Sequence, residues 1–270
     1  MHSFNRAMAI LLGALAAVAA VVAGVASAAK VSTRSSTVQL PVEIAAHTAT
    51  AKCPKGEQAT GGGIRVADPF SDAAEGAHPV GKRRWRAVGL RAPFATGASE
   101  LTSLVRCLRG AKLTTRRKAK ALPFGARGVT AKCPRGRRVA GGGIRLARPD
   151  EQDTVLGSFP VSKRKWRAIG LKHSGSPEDS RVTAYVRCIK AKVRIRSRTV
   201  TLPGSGAARA ARVRCPEGRT ATGGGIRLGA PLEDAVGGSF PVGRRAWRAI
   251  GAHFSFPPTD GEMTVYVVCV

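Results

Sequence analysis

The chain has 270 residues, 43% hydrophobic and 5% aromatic, with 45 Lys and Arg against 16 Asp and Glu and a net charge of +29. That hydrophobic content excludes wholesale disorder, and the scarcity of aromatics demands a core of Val, Leu, Ile and Ala. The charge excludes an indifferent surface, because such a chain collects on polyanions.

Residues 1–28 read as a secretory signal peptide. Arg6 is the lone charge before an uncharged run from Ala7 to Val25, and Ala26-Ser27-Ala28 sets small residues ahead of a mature start at Ala29. The run is long enough to span a bilayer, so an uncleaved anchor is the alternative. No later segment approaches 18 apolar residues. The mature chain is therefore expected to be soluble and secreted, extracellular or at the cell surface, where thiols oxidise.

Three copies of one unit follow, at 29–110, 111–198 and 199–270. Cys53-Pro54-Lys55-Gly56 recurs as Cys133-Pro134-Arg135-Gly136 and Cys215-Pro216-Glu217-Gly218. Gly61-Gly62-Gly63-Ile64-Arg65 recurs at Gly141 to Arg145 and at Gly223 to Arg227. Trp85, Trp166 and Trp247 each precede Arg-Ala, and Cys107, Cys188 and Cys269 close the units. Every Trp and Cys of the chain belongs to this pattern. One early and one late Cys per unit pair as Cys53 with Cys107, Cys133 with Cys188 and Cys215 with Cys269. Pairing between units is the rival. Two Cys per unit, no CxxC and no recurring His argue against a metal site, and no cofactor is expected.

Within each unit the signals are those of strands. Val38-Gln39-Leu40 and Thr199-Val200-Thr201-Leu202 each stop at a proline. Arg138 to Leu146 is a strand carrying three glycines, Trp166 to Lys172 alternates, and Val182 to Ile189 is rich in β-branched residues. An all-β protein with five or six antiparallel strands per unit is expected. The junction from Cys188 to Pro203 holds no flexible linker, so the units are rigidly joined. Tandem sandwich-like units in a row are favoured, since a stapled 80-residue module can hold its own core. A single pseudo-threefold β-prism is the alternative.

The order Cys-Pro-x-Gly, Gly-Gly-Gly, Gly-Ser-Phe-Pro, Trp, Val-x-Cys resembles a family of exported tandem-repeat proteins of high-GC bacteria without an assigned activity. The resemblance covers the mature chain. Its fourth element is Gly157-Ser158-Phe159-Pro160 and Gly238-Ser239-Phe240-Pro241; the first unit departs with Gly76-Ala77-His78-Pro79. A looser similarity, through Cys-Pro-x-Gly before a Gly-containing strand, is to the vitelline membrane outer layer proteins, a β-prism family. The first resemblance implies an exported, non-enzymatic β protein and offers no catalytic residue.

The residues agree. No nucleophile elbow, HExxH or phosphate loop is present, and the His positions do not recur. Recurrence does single out Asp72, Asp153 and Asp234, read as lying in a polar loop, with Arg65, Arg145 and Arg227 after the glycines and Arg86, Arg167 and Arg248 after the Trp. These are turn caps or ion pairs on one reading, and a thrice-repeated binding spot on the other. A hydrolase built on the Asp loops is a further alternative.

The charge is uneven. Residues 29–110 hold 12 basic and 6 acidic side chains, 111–198 hold 24 and 5, and 199–270 hold 8 and 5. Lys163, Arg164 and Lys165 precede Trp166. Lys190, Lys192, Arg194, Arg196 and Arg198 alternate, which on a strand puts all five on one face. This basic patch suits an anionic cell-wall polymer or acidic polysaccharide, with non-specific, salt-sensitive nucleic-acid binding as a further partner. A purely structural surface protein without a ligand is the competing reading.

Overall fold

The computed structural model describes residues 31–42, 45–69, 71–92, 95–147, 153–173, 180–230 and 233–270; the expected signal peptide lies outside them. Among the described residues all 18 elements are strands, six per repeat. The first repeat supplies β1 (Val31–Leu40), β2 (His47–Lys52), β3 (Glu57–Val66), β4 (Asp72–Val80), β5 (Arg84–Arg91) and β6 (Ser99–Arg109). The second supplies β7 (Thr114–Ala121), β8 (Gly125–Lys132), β9 (Arg138–Leu146), β10 (Asp153–Ser162), β11 (Lys165–Lys172) and β12 (Arg181–Ile189). The third supplies β13 (Arg194–Leu202), β14 (Arg209–Arg214), β15 (Ala221–Leu228), β16 (Asp234–Val242), β17 (Ala246–His253) and β18 (Gly261–Cys269). No helix among the described residues is long and apolar enough to cross a membrane.

Each repeat splits into two three-stranded halves, and each half joins a half of a neighbour. The three sheets run β1-β6-β3-β16-β17-β14, β2-β5-β4-β9-β12-β7 and β13-β18-β15-β10-β11-β8, all antiparallel. They are named here by the repeats they unite: the 3–1, 1–2 and 2–3 sheets. The units are therefore not set in a row. The chain closes about a pseudo-threefold axis, as in the β-prism alternative. The reason is the open edge of a three-stranded half. The glycine strands β3, β9 and β15 would each leave a row of unpaired backbone groups, and pairing with β16, β4 and β10 over two residue pairs per seam covers part of it.

The glycine triplets make the closure sterically feasible. A Cβ on Gly61 would meet the Thr222 carbonyl oxygen at 2.6 Å, one on Gly141 that of Thr60 at 2.6 Å, and one on Gly223 that of Ala140 at 2.6 Å. The first glycines thus pack in a ring around the axis. The second of each triplet, Gly62, Gly142 or Gly224, receives the ring of its own repeat's Trp. The third lies against the backbone of the repeat before it around the ring: Gly63 on Ser239, Gly143 on Ala77, Gly225 on Ser158. The three Trp are fully buried, in one continuous core of Val, Leu, Ile and Ala.

The disulfides are Cys53–Cys107, Cys133–Cys188 and Cys215–Cys269, each within one repeat. Spanning 54 or 55 residues, each restricts the unfolded chain by roughly 4 kcal/mol in the loop-entropy model. Each joins the end of an inner strand to the Cys-Pro-x-Gly turn of the same repeat.

Candidate functional site

Antiparallel pairing sends alternate connections to opposite ends of the prism, and the charge separates with them. One end carries the eight connections from β2–β3 to β16–β17 in steps of two, and these hold 13 Lys and Arg with one acid, Glu217. At the other end the described connecting residues hold no Lys or Arg and three acids, Asp68, Glu233 and Asp260. Tight turns at the first end place their cations in solvent: Lys163, Lys190 and Lys192 are exposed there. Lys165 opens β11 beside them.

The expected basic patch is thus partly redistributed. Only Arg194, Arg196 and Arg198 alternate on an exposed strand, β13; Lys190 and Lys192 belong to the preceding turn. Arg164 serves the fold, its Nη2 donating to the Cys133 carbonyl at 3.1 Å, as Arg245 does to Cys215 and Arg83 to Cys53.

Among the described residues, clefts open on this basic half. One, of about 640 Å³, lies across the seam of the 1–2 sheet. Its walls include Lys82 and Arg86 of the first repeat and Arg117, Arg145 and Arg187 of the second, and no carboxylate. On its floor His78 stacks on Tyr185, with ring centroids 5.4 Å apart and an interplanar angle of 23°. Burial and then the charges of Arg145 and Arg86 hold the His78 imidazole down to about 4, so it is neutral at pH 7. The second cleft, about 630 Å³, runs along the corner between β7 and β8, lined by Arg116, Arg117, Lys118, Lys132, Lys165 and Arg167. Arg117 borders both.

The recurring Arg and the recurring Asp part company. Arg65, Arg145 and Arg227 are exposed on β3, β9 and β15. Register sets Gly76 opposite Arg145, Gly157 opposite Arg227 and Gly238 opposite Arg65. Arg86, Arg167 and Arg248 lie on the neighbouring strands opposite His78, Phe159 and Phe240. Each seam thus carries an Arg from each of two repeats around an aromatic ring, and the Phe159–Tyr266 pair, 5.3 Å apart, repeats the His78–Tyr185 stack.

The Asp residues open strands β4, β10 and β16 at the opposite end, their carboxylates buried rather than in a polar loop. Asp72 pairs with Arg91 Nη1 at 2.6 Å and accepts from Ser99 Oγ at 2.5 Å. Asp153 accepts from Ser180 Oγ at 2.6 Å and faces Lys172 in register. Asp234 accepts from His253 Nδ1 at 2.7 Å and from the Ala230 backbone N–H at 2.6 Å. Arg, Lys and His take turns at one position, so the partner does not recur as a residue type. Gly261 stands where Ser99 and Ser180 do, and a Cβ there would meet His253 Nδ1 at 2.6 Å.

A pocket of about 220 Å³ sits on the axis at this Asp end, walled by Ala73 and Ala74, Thr154 and Val155, and Ala235 and Val236 from the three equivalent strands. Glu75 lines it, 2% exposed, with Oε2 unpartnered. Burial, then the charge of Asp153, raises its carboxyl to about 8. Recurrence could not find Glu75, Tyr185, Arg117 or Arg187. The usable signal for Glu75 was the opposite one: an acid where the copies place Leu156 and Gly237.

No group of three or more His, Cys, Asp or Glu among the described residues is placed to hold a metal ion. No protein-family model matches the chain, and no curated protein matches it.

Proposed function

We propose that the protein is a non-catalytic binding protein that works outside the cytosol and associates, through its basic end and the two clefts, with an anionic cell-wall polymer or acidic polysaccharide. The observation that carries this is the segregation of charge. Thirteen cations gather in the connections of one end, and the adjoining clefts contain no carboxylate. A merely soluble surface would intersperse both signs. Arg guanidinium planes suit bidentate pairing with carboxylate or phosphate groups. Three disulfides and the leading apolar run support an oxidising location.

Retention of residues 29–270 on immobilised heparin and on neutral dextran tests this. The protein should hold to heparin, release with salt and ignore dextran. The triple variant Lys82→Ser, Arg117→Ser, Arg145→Ser should elute at distinctly lower salt than Arg34→Ser, Arg209→Ser, Arg212→Ser, which loses equal charge elsewhere. Equal elution of the two would reject the clefts as the site.

A further inference from the structure

The axial pocket is independent of the basic end and lies at the opposite end of the prism. It combines two kinds of wall. Ala74, Val155 and Val236 make an apolar throat, and Phe254 stands at its side. Glu75 supplies a carboxyl with an unpartnered Oε2, and Glu233 and Asp234 add acidic groups. The volume of about 220 Å³ equals about seven waters at ~30 Å³ each. The residue at this point is also specific to one repeat: Leu156 and Gly237 hold the equivalent places. An apolar core would accept a third Leu or Gly, so the carboxyl is not what packing requires. A buried unpaired acid costs stability.

We propose that this pocket binds a primary alkylammonium group, its stem in the Ala and Val throat, its ammonium donating to the Glu75 carboxylate beside the Phe254 ring. An ammonium brings three donors to an acceptor that has none, and an aromatic face adds to the attraction. A bare divalent ion fits worse, since it wants six or more oxygens. The titratable and charged groups around Glu75 are Asp153, whose charge acts on it, and the pocket's Glu233, His173 and Asp234, the last with its partner His253. Glu75 must be ionised to receive the cation. With its carboxyl at about 8 in the empty pocket, the affinity rises roughly 50-fold between pH 6 and 8.

The test is calorimetric titration with n-butylammonium chloride, with n-butanol as the uncharged isostere. Butylammonium should bind, more tightly at pH 8 than at pH 6, and at least tenfold more weakly to Glu75→Gln. Butanol should bind weakly and alike to both proteins. Glu75→Leu, which copies Leu156, supplies a second variant should the Gln protein misfold, and the wild-type pH profile requires no variant. Flat pH dependence, equal butylammonium affinity in the variants, or butanol binding as tightly as the amine would overturn the proposal. Heparin retention of Glu75→Gln should equal wild type, which keeps this site separate from the polymer surface.

Discussion

Trp166 Nε1 donates to Ser158 Oγ at 2.9 Å, eight residues back across the β10–β11 hairpin, and Trp247 repeats the bond to Ser239 at 2.9 Å. Trp85 has no such partner. Ala77 stands at the serine position, and the buried Nε1 is left unpaired. The departure of the first repeat from Gly-Ser-Phe-Pro therefore has a direct physical cost. Ala77→Ser should restore the bond and raise stability by about 1 kcal/mol, read as a higher midpoint in urea. A lower midpoint would mean that the hydroxyl is crowded by Ile144, opposite Ala77 in the seam.

The same departure puts His78 where Phe159 and Phe240 stand. Its folded value of about 4 lies below the ordinary 6.5. Between these pH values the unfolded chain binds more protons than the folded one, so stability falls as pH drops from 6.5 toward 4 and is unaffected above 7. The loss at pH 4 is a few kcal/mol. His78→Phe should remove it, giving a melting temperature raised at pH 5 and nearly unchanged at pH 8. A uniform shift at both pH values would assign the effect to packing instead.

Two seams carry a buried arginine. Arg187 reaches from the second repeat to the carbonyls of Ala59 at 2.7 Å and Lys82 at 2.9 Å, and Arg106 reaches from the first repeat to Gly243 of the third. The third equivalent residue is Val268. Arg187→Ala strands two carbonyls of another repeat and should cost about 3 kcal/mol or more. Val268→Ala at the third seam should cost less, about 1 to 2 kcal/mol. Urea midpoints of the two variants decide the order.

Glycine substitutions separate close approach from turn geometry. A Cβ on Gly225 would fall 1.9 Å from the Ser158 carbonyl oxygen, whereas one on Gly218, at φ +70, meets nothing within 4 Å. Gly225→Ala should prevent folding, and Gly218→Ala should cost about 1 kcal/mol. Recovery of soluble, disulfide-intact protein checks the first, and thermal melting the second.

Strands, repeats and cysteine pairs were legible because each leaves a mark within one unit. Arg138 to Leu146 coincides with β9, and one early and one late Cys per unit pair as expected. The closure was not legible, although its signature was present. A glycine triplet inside a strand signals a bulge or a close backbone approach, yet nothing local says that the approaching backbone belongs to another repeat. The Asp positions recur while the residue opposite them in register changes from Arg91 to Lys172 to His253, so recurrence located the acid and missed the residue facing it. The patch at 190–198 was over-extended because alternation alone does not mark where a turn yields to a strand.

The shared sheets govern what the growing chain can build, and in what order. The wall that unites repeats 1 and 2 needs nothing beyond Ile189, while the other two wait for β17 and β18, the last strands synthesised. A chain cut after the second repeat would not be two-thirds of a protein. It would be an open trough with β3 and β10 bare along its rims, and the readiest source of the missing strands would be another molecule.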